Sequence, residues 1–296
     1  MSNETVEAAM RTKLSYSPIN DAHAIVEVVM FVQFAPGFGD STIRKLTQIE
    51  HDLKDELPKA TPIQRLAFSM LPQQGSQVMQ QQLIGIEMQS MRRDGSLEWM
   101  LRTTENTIAV HCLDYSRWDT VWQKAKGYLD KAFKHLDGSE SFVDAVGLKY
   151  IDRFLCNTAP EQSNLSDLFG SNNDLIFNRA FSMNSGSLWH CHTGWFENMN
   201  LNTADMKCLN QLNVDSSFKN INGNSKLVVT IDHSAIASIP QDKNGLSVLK
   251  KRNGSEELSF EDIMNELHRQ NKAMMAKLLS KQMATAISLS ARSEEA

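Results

Sequence analysis

Alternating hydrophobic and polar positions mark the first regular element of the chain. In HAIVEVVMFVQF, from His23 to Phe34, hydrophobic residues recur at every second position, whereas Glu27 and Gln33 belong to the other set. A period of two with β-branched residues is typical of a strand that has one buried face. The following segment, STIRKLTQIEHDLKDEL, has hydrophobic residues at helical spacing and predicts a helix that ends before Pro58.

The same order of patterns occurs again further along the chain. A strand-like segment at 144–154 is followed by a short helical stretch, several strand-like runs and a long amphipathic helix that starts near Ser259. We therefore expect an α+β fold in which antiparallel sheets carry helices on one face, as two similar strand–helix–strands–helix modules. The predicted modules comprise residues 21–143 and 144–290, after a flexible N-terminal arm at 1–20. The strand at 145–154 would allow the second module to share or extend the first sheet, and separate sheets are the alternative.

The composition is that of an ordinary folded protein. The chain has 296 residues, of which 41% are hydrophobic and 22% are charged, and this length fits about one or two domains. Its formal net charge is −5, whereas a non-specific nucleic-acid binder usually has a basic surplus because neutralised phosphates supply the affinity. The charge argues against that role for the whole chain, but the basic residues at 92–93 and 250–252 leave a local patch open.

Cysteine usage and the N-terminus indicate a compartment. The cysteines do not form a C-x-x-C pair, and the N-terminal segment is polar, without the apolar core of a secretory leader. The longest apolar run falls short of the roughly 18 residues that span a bilayer. We expect a cytoplasmic protein with reduced thiols and no membrane association.

Three segments resemble those of a known family. HAIVEVVMFVQF, YSRWDTVWQKAKGYLDKAF and VGLKYIDRF occur here in that order. They resemble a sporadically distributed prokaryotic family of uncharacterised proteins, in which a strand like PPIVEAVFEIRF precedes a W-x-x-F helix and a strand like IGLRYIN. The ending NELHRQNKAMM is similar too.

The chain departs from that family pattern at several positions. His23 and Ala24 stand in place of two prolines, Lys149 in place of an arginine, and Asp152 in place of an asparagine. The patchy distribution of the family implies a setting in mobile elements, antiviral-defence loci or toxin–antitoxin loci. It implies no particular activity.

The segment SLWHCHTGWF contains the candidate metal ligands. On a strand, His190 and His192 point to the same face and Cys191 to the other. Two imidazoles can share one metal ion, but a structural zinc takes about four ligands and a catalytic zinc about three plus water. Cys208, His233 and Asp232 are the candidates to complete the site. The alternative is a strand whose histidines simply face solvent or a groove.

Two further sets of residues are candidates for binding. The closing helix carries Met274, Met275 and Leu278 on an apolar face, and methionine-rich faces adapt to varied partners. The alternative is that this face packs against the sheet. Glu27 and Lys149 lie on the less apolar faces of two strands, and they could form a polar pair if those strands are neighbours.

The sequence contains no nucleophile elbow, paired-carboxylate motif, H-E-x-x-H or phosphate loop. We therefore expect a non-enzymatic protein- or peptide-binding or assembly protein without a cofactor. Its partner would be another protein, encoded nearby, and homo-oligomerisation stays open. Two alternatives are kept. One is a zinc-binding domain or metal-dependent enzyme built on His190 and His192, and the other is a nucleic-acid-associated subunit that uses a sheet face.

Overall fold

The structure is a computed structural model, and it describes most of the chain in several ranges. They are residues 14–20, 22–70, 77–170, 174–176, 188–201, 204–249 and 258–289. The basic run at 250–252, most of the predicted arm at 1–20 and much of the strand-like run that begins at 175 lie outside these ranges.

Strands account for most of the regular structure. They are β1 (Tyr16–Pro18), β2 (Ile25–Ala35), β3 (Lys59–Met70), β4 (Gln77–Met91), β5 (Leu97–Thr103), β6 (Thr107–Cys112), β7 (Phe142–Cys156), β8 (Trp189–Leu201), β9 (Ala204–Ile221) and β10 (Asn224–Ser238). The helices are α1 (Asp40–Thr47), α2 (Ile49–Leu53), α3 (Trp118–Lys134), α4 (Phe260–Leu278) and α5 (Lys281–Ala286). None of the described helices is long and apolar enough to cross a membrane.

All of these strands belong to one antiparallel sheet of ten strands. Its order is β3-β4-β5-β6-β2-β7-β10-β9-β8, and β1 pairs with β7. The α+β class predicted from the sequence is confirmed. The two parts of the chain share a single sheet and do not form separate ones. β7 lies between β2 and β10 and joins the two parts. Tyr16 of β1 is buried, so this end of the predicted arm is anchored to the sheet.

The helices pack against one face of the sheet. A first core cluster joins residues of α1 and α3, such as Leu46 and Trp122, to alternate positions of the central strands, such as Met30 and Leu148. A second cluster joins α4 and α5 to alternate positions of β8, β9 and β10. We call this side of the sheet the packed face. Both clusters use the same set of alternating positions, so the core lies on one side.

Local signals set several element boundaries. The Ser259 hydroxyl accepts a hydrogen bond from the backbone N–H of Asp262 and caps α4, as the capping-box spacing predicts. Gly95, where φ is +82°, lies in the turn that connects β4 to β5. Ser116 and Asp119 have the same capping-box spacing, but α3 begins at Trp118 and has no side-chain cap.

Shortening a buried side chain of α4 tests the packing of the second cluster. The Leu278 side chain is fully buried there, so Leu278→Ala should lower the free energy of unfolding by about 2–5 kcal/mol. The neighbouring Lys277→Ala is the control, because the Lys277 side chain is 59% exposed in its ion pair with Asp174. It should cost less than about 1 kcal/mol in the same urea titration. Equal effects of the two substitutions would contradict the placement of this helix face.

Candidate functional site

The face opposite the packed face carries most of the charged residues of the central strands. Strand register places Glu27 of β2 opposite Ile151 of β7, Ile151 opposite Asp232 of β10, and Asp232 opposite Asn213 of β9. Asn213 in turn lies opposite His192 of β8. Because side chains alternate along each strand, all of these positions belong to the same side. We call it the polar face.

Two half-buried polar pairs, each with one carboxylate, lie near the centre of the polar face. Lys149 Nζ lies 2.7 Å from Asp232 Oδ2 on the neighbouring strand. The ring nitrogen Nδ1 of His111 donates to Glu27 Oε1 over 2.7 Å. The hydrogen bond from His111 lowers the pKa of Glu27, and the positive charges of Lys149 and Arg153 lower it further.

The predicted pairing of Glu27 with Lys149 therefore needs a correction. The two strands are neighbours, but the register sets Lys149 opposite Val29 and Glu27 opposite Ile151. Each charge finds its partner on the strand at its other side. The two residues are connected only through the electrostatic effect of Lys149 on the Glu27 carboxylate.

Next to these pairs lies a group of buried polar atoms without hydrogen-bond partners. They are Nε of Arg153, Oγ1 of Thr230 and Oδ1 of Asp232. Arg153 and Thr230 are directly opposite each other on β7 and β10, and Asp232 follows two residues further along β10. We call these three residues the orphan patch. Buried polar atoms normally have partners, so the orphan patch has unused hydrogen-bonding capacity.

The five residues predicted as metal ligands do not come together. Asp232 is paired with Lys149, and β9 lies between it and His192. His190 and His192 are exposed on the polar face of β8, with ring centroids 5.2 Å apart. Cys208 and His233 are buried on the packed face. The thickness of the sheet separates the two pairs. Within the described ranges, no group of three or more His, Cys, Asp or Glu residues could hold a metal ion, so the pair of histidines supplies fewer ligands than zinc takes.

His233 has a structural environment of its own. Its Nδ1 lies 2.8 Å from Asn271 Oδ1 of α4, and its Nε2 lies 3.1 Å from Asn210 Oδ1 of β9. Burial lowers the pKa of His233, which favours the neutral ring. A neutral imidazole has one N–H, so one of the two amides must turn its NH₂ group toward the ring. The triad ties α4 to the sheet.

The predicted partner-binding residues lie in the core. Met274, Met275 and Leu278 are all buried in the second cluster, where α4 meets β8, β9 and β10. Packing against the sheet was the alternative kept for this helix face, and it accounts for the apolar stripe. These side chains offer no surface to another protein in this structure.

A second polar cluster lies on the packed face, and none of the sequence patterns predicts it. The Tyr150 hydroxyl lies 2.8 Å from His268 Nδ1 of α4. The indole of Trp118, at the start of α3, stacks on the His268 ring with a centroid distance of 4.3 Å. Burial lowers the pKa of His268 to about 4, so this ring is neutral at physiological pH.

The Asp152 carboxyl belongs to the same region and is 4% exposed. Burial raises the pKa of Asp152 to about 7. Burial also raises the pKa of Tyr115 and Tyr150, and the charge of Asp152 raises both further. One signal could have revealed it. Asp152 follows Leu148 and Tyr150 at the same alternate positions of β7, which are the positions that face the core.

Comparison with known proteins leaves the assignment to the structure. No family model matches the chain, and no curated protein matches it either. The family resemblance drawn from the sequence stays a prediction. The two polar clusters and the surfaces that they occupy are therefore the observations that bear on function.

The buried carboxyl of Asp152 makes stability depend on pH. Burial raises its pKa to about 7 in the folded protein, compared with an ordinary value of 3.8 for an aspartate side chain. The folded state therefore holds this proton more tightly, and stability falls as the pH rises from about 4 to about 7. Asp152→Asn removes this loss. We expect the variant to gain up to about 4 kcal/mol over the wild type at pH 8, and much less near pH 4.

Urea titrations between pH 4 and pH 8 measure this difference. Asp242→Asn is the matched control, because the Asp242 side chain is 73% exposed, and it should leave the pH profile unchanged. Parallel profiles for Asp152→Asn and the wild type would contradict a buried, protonated carboxyl.

Proposed function

We propose that this chain is a non-enzymatic binding or assembly protein that holds a protein or peptide partner on the polar face of its sheet. One observation carries the proposal. The orphan patch leaves buried donors and an acceptor without partners on the face that the core clusters do not use. A partner that covers this face would supply the missing hydrogen bonds.

The mixture of side chains on the polar face favours a polypeptide partner. Lys149 and Arg153 lie among the carboxylates of Glu27, Asp215 and Asp232. A nucleic-acid backbone needs a surplus of positive charge, and these carboxylates would repel it. Apolar residues alternate with the charged ones on the same face. Such a mixture is typical of protein–protein interfaces, so the nucleic-acid alternative is the weaker one.

The zinc alternative has less support than the binding function. His190 and His192 could contribute two imidazoles to a metal ion that a partner helps to coordinate. Of the other predicted ligands, Cys208 and His233 are on the opposite side of the sheet, and Asp232 is paired with Lys149. The proposal therefore includes no cofactor.

We also propose that residues 21–143 and 144–290 form two similar modules that share the polar face. The sheet order supports this division. Outward from the central pair of β2 and β7, the strands follow as β6, β5, β4, β3 on one side and as β10, β9, β8 on the other. On each side a long helix comes after the strand next to the centre, α3 after β6 and α4 after β10.

The proposed setting follows from the family resemblance. A cytoplasmic component of a prokaryotic antiviral-defence, toxin–antitoxin or mobile-element locus would act on a protein encoded nearby. A second copy of the chain is the alternative occupant of the polar face. Sedimentation of the purified chain distinguishes the two, because a homo-oligomer forms without any other protein.

A matched pair of glutamine substitutions tests the binding face. Gln211 is exposed on the polar face, where it lies opposite Ser234 and Gly194, and Gln123 is exposed on α3. We expect Gln211→Arg to reduce recovery of the partner, or self-association, at least about tenfold. The arginine side chain is longer than glutamine, and its charge would lose its water of hydration when an interface forms. Gln123→Arg should leave recovery unchanged.

The measurement is quantitative affinity purification after co-expression with the neighbouring genes, together with sedimentation. Thermal melting confirms that both variants are folded. Equal recovery with Gln211→Arg and Gln123→Arg would remove the polar face from the proposal.

A further inference from the structure

We infer that the partner places a carboxylate of an acidic polypeptide segment on Arg153, in the orphan patch. This inference rests on the proposed function and names the chemistry of the partner. Its basis is the charge and hydrogen-bonding pattern of three neighbouring residues, Arg153, Thr230 and Asp232.

Arg153 is the centre of the site. The residue is half-buried and its Nε is fully buried, yet this N–H has no hydrogen-bond partner. Among the described residues, no carboxylate lies within 4.0 Å of its guanidinium, whereas Lys149 on the same strand is paired with Asp232. A charged donor that is buried and unsatisfied destabilises the protein on its own. A carboxylate is the anion that a guanidinium binds with two parallel hydrogen bonds.

Thr230 adds a second donor to the same site. It lies directly opposite Arg153, and opposite residues of an antiparallel pair have Cβ atoms about 5 Å apart. The residue is 9% exposed, and its hydroxyl has no partner. A carboxylate bound to the guanidinium can accept from this hydroxyl as well, since each of its oxygens accepts more than one hydrogen bond.

Asp232 favours a ligand that carries a hydrogen-bond donor as well as a carboxylate. Lys149 holds Oδ2 of this carboxylate, but Oδ1 is a buried acceptor that needs a donor. A segment with a glutamate or aspartate also has backbone N–H groups, and one of them can donate to Oδ1. A phosphate group at neutral pH has little capacity to donate, so it would leave Oδ1 of Asp232 without a donor. The set of one positive donor, one hydroxyl and one acceptor therefore fits an acidic peptide.

The test uses octaglutamate as the probe, with octaglutamine as the neutral peptide. The readout is the Nε–Hε resonance of Arg153 in ¹H–¹⁵N spectra of the full chain, assigned by its absence from the Arg153→Lys variant. We expect octaglutamate to shift this resonance in a saturable way and octaglutamine to leave it in place. Inorganic phosphate and an oligothymidylate of eight nucleotides should shift it less than octaglutamate does at equal concentration.

Substitutions separate the site from general charge. Arg153→Gln should weaken octaglutamate binding at least tenfold, and Thr230→Val should weaken it at least threefold. Arg102→Gln is the matched control, because Arg102 lies on the polar face of β5 and its Nε is already near Glu87, at 3.9 Å. It should change binding less than twofold. Thermal melting checks that each variant is folded, and Arg153→Lys, which keeps the charge, should bind more weakly than the wild type.

Several results would overturn the inference. One is that octaglutamate leaves the Arg153 resonance unmoved, and another is that Arg153→Gln and Arg102→Gln weaken binding equally. A larger shift with phosphate or the oligonucleotide would also overturn it. Partner recovery separates this inference from the proposed function. If Gln211→Arg abolishes recovery but Arg153→Gln does not, only the carboxylate site is wrong, whereas retention with Gln211→Arg removes the binding face itself.

Discussion

The antiparallel pairing of β2 with β7 is the constraint on which the rest of the molecule depends. Its register sets Val28 opposite Tyr150 on the packed face and Val29 opposite Lys149 on the polar face. Because side chains alternate with a period of two, a slip of one residue would move every core residue of one strand to the wrong side. The pairing also joins the two parts of the chain, since β6 extends the sheet from β2 and β10 extends it from β7.

Polar contacts on the packed face determine where the long helices lie. The Trp118 indole donates to Asn265 Oδ1 and so connects the start of α3 to α4. His233 and Asn271 connect α4 to the sheet. Apolar packing alone tolerates many arrangements of similar volume. Buried hydrogen bonds of this kind add direction, because a displaced helix would leave an imidazole or an amide unsatisfied in the core.

The sequence predicts what depends on local periodicity. The alternation from His23 to Phe34 identified β2, and the segment at 144–154 lies inside the observed β7. Ser259 marked the start of α4. The sequence could not place the candidate ligands, because the face of Cys208 relative to His192 depends on the register of β8 and β9. That register is a property of tertiary pairing. Spacing along the chain carries no information about it.

The charged pairs show the same limit. Alternation alone assigns Glu27 and Lys149 to the polar sides of their strands, but it cannot choose among the neighbours of each strand. Each interior strand of a sheet has two neighbours. Glu27 of β2 pairs with His111 of β6, and Lys149 of β7 pairs with Asp232 of β10. Asp152 is a different case. Its position in the alternation of β7 predicts that the side chain is buried, and burial of a carboxyl group raises its pKa.

The orphan patch is difficult to explain by stability alone. Central strands of a sheet favour β-branched and aromatic residues, and such residues at Arg153 and Asp232 would avoid the cost of unsatisfied buried polar atoms. The chain instead keeps a guanidinium, a hydroxyl and a carboxylate together at the centre of the face that carries no helix-packed core. Functional sites are where folded proteins retain such locally unfavourable groups. A polypeptide partner that forms hydrogen bonds with these groups would stabilise them, and this stabilisation would contribute to the free energy of binding.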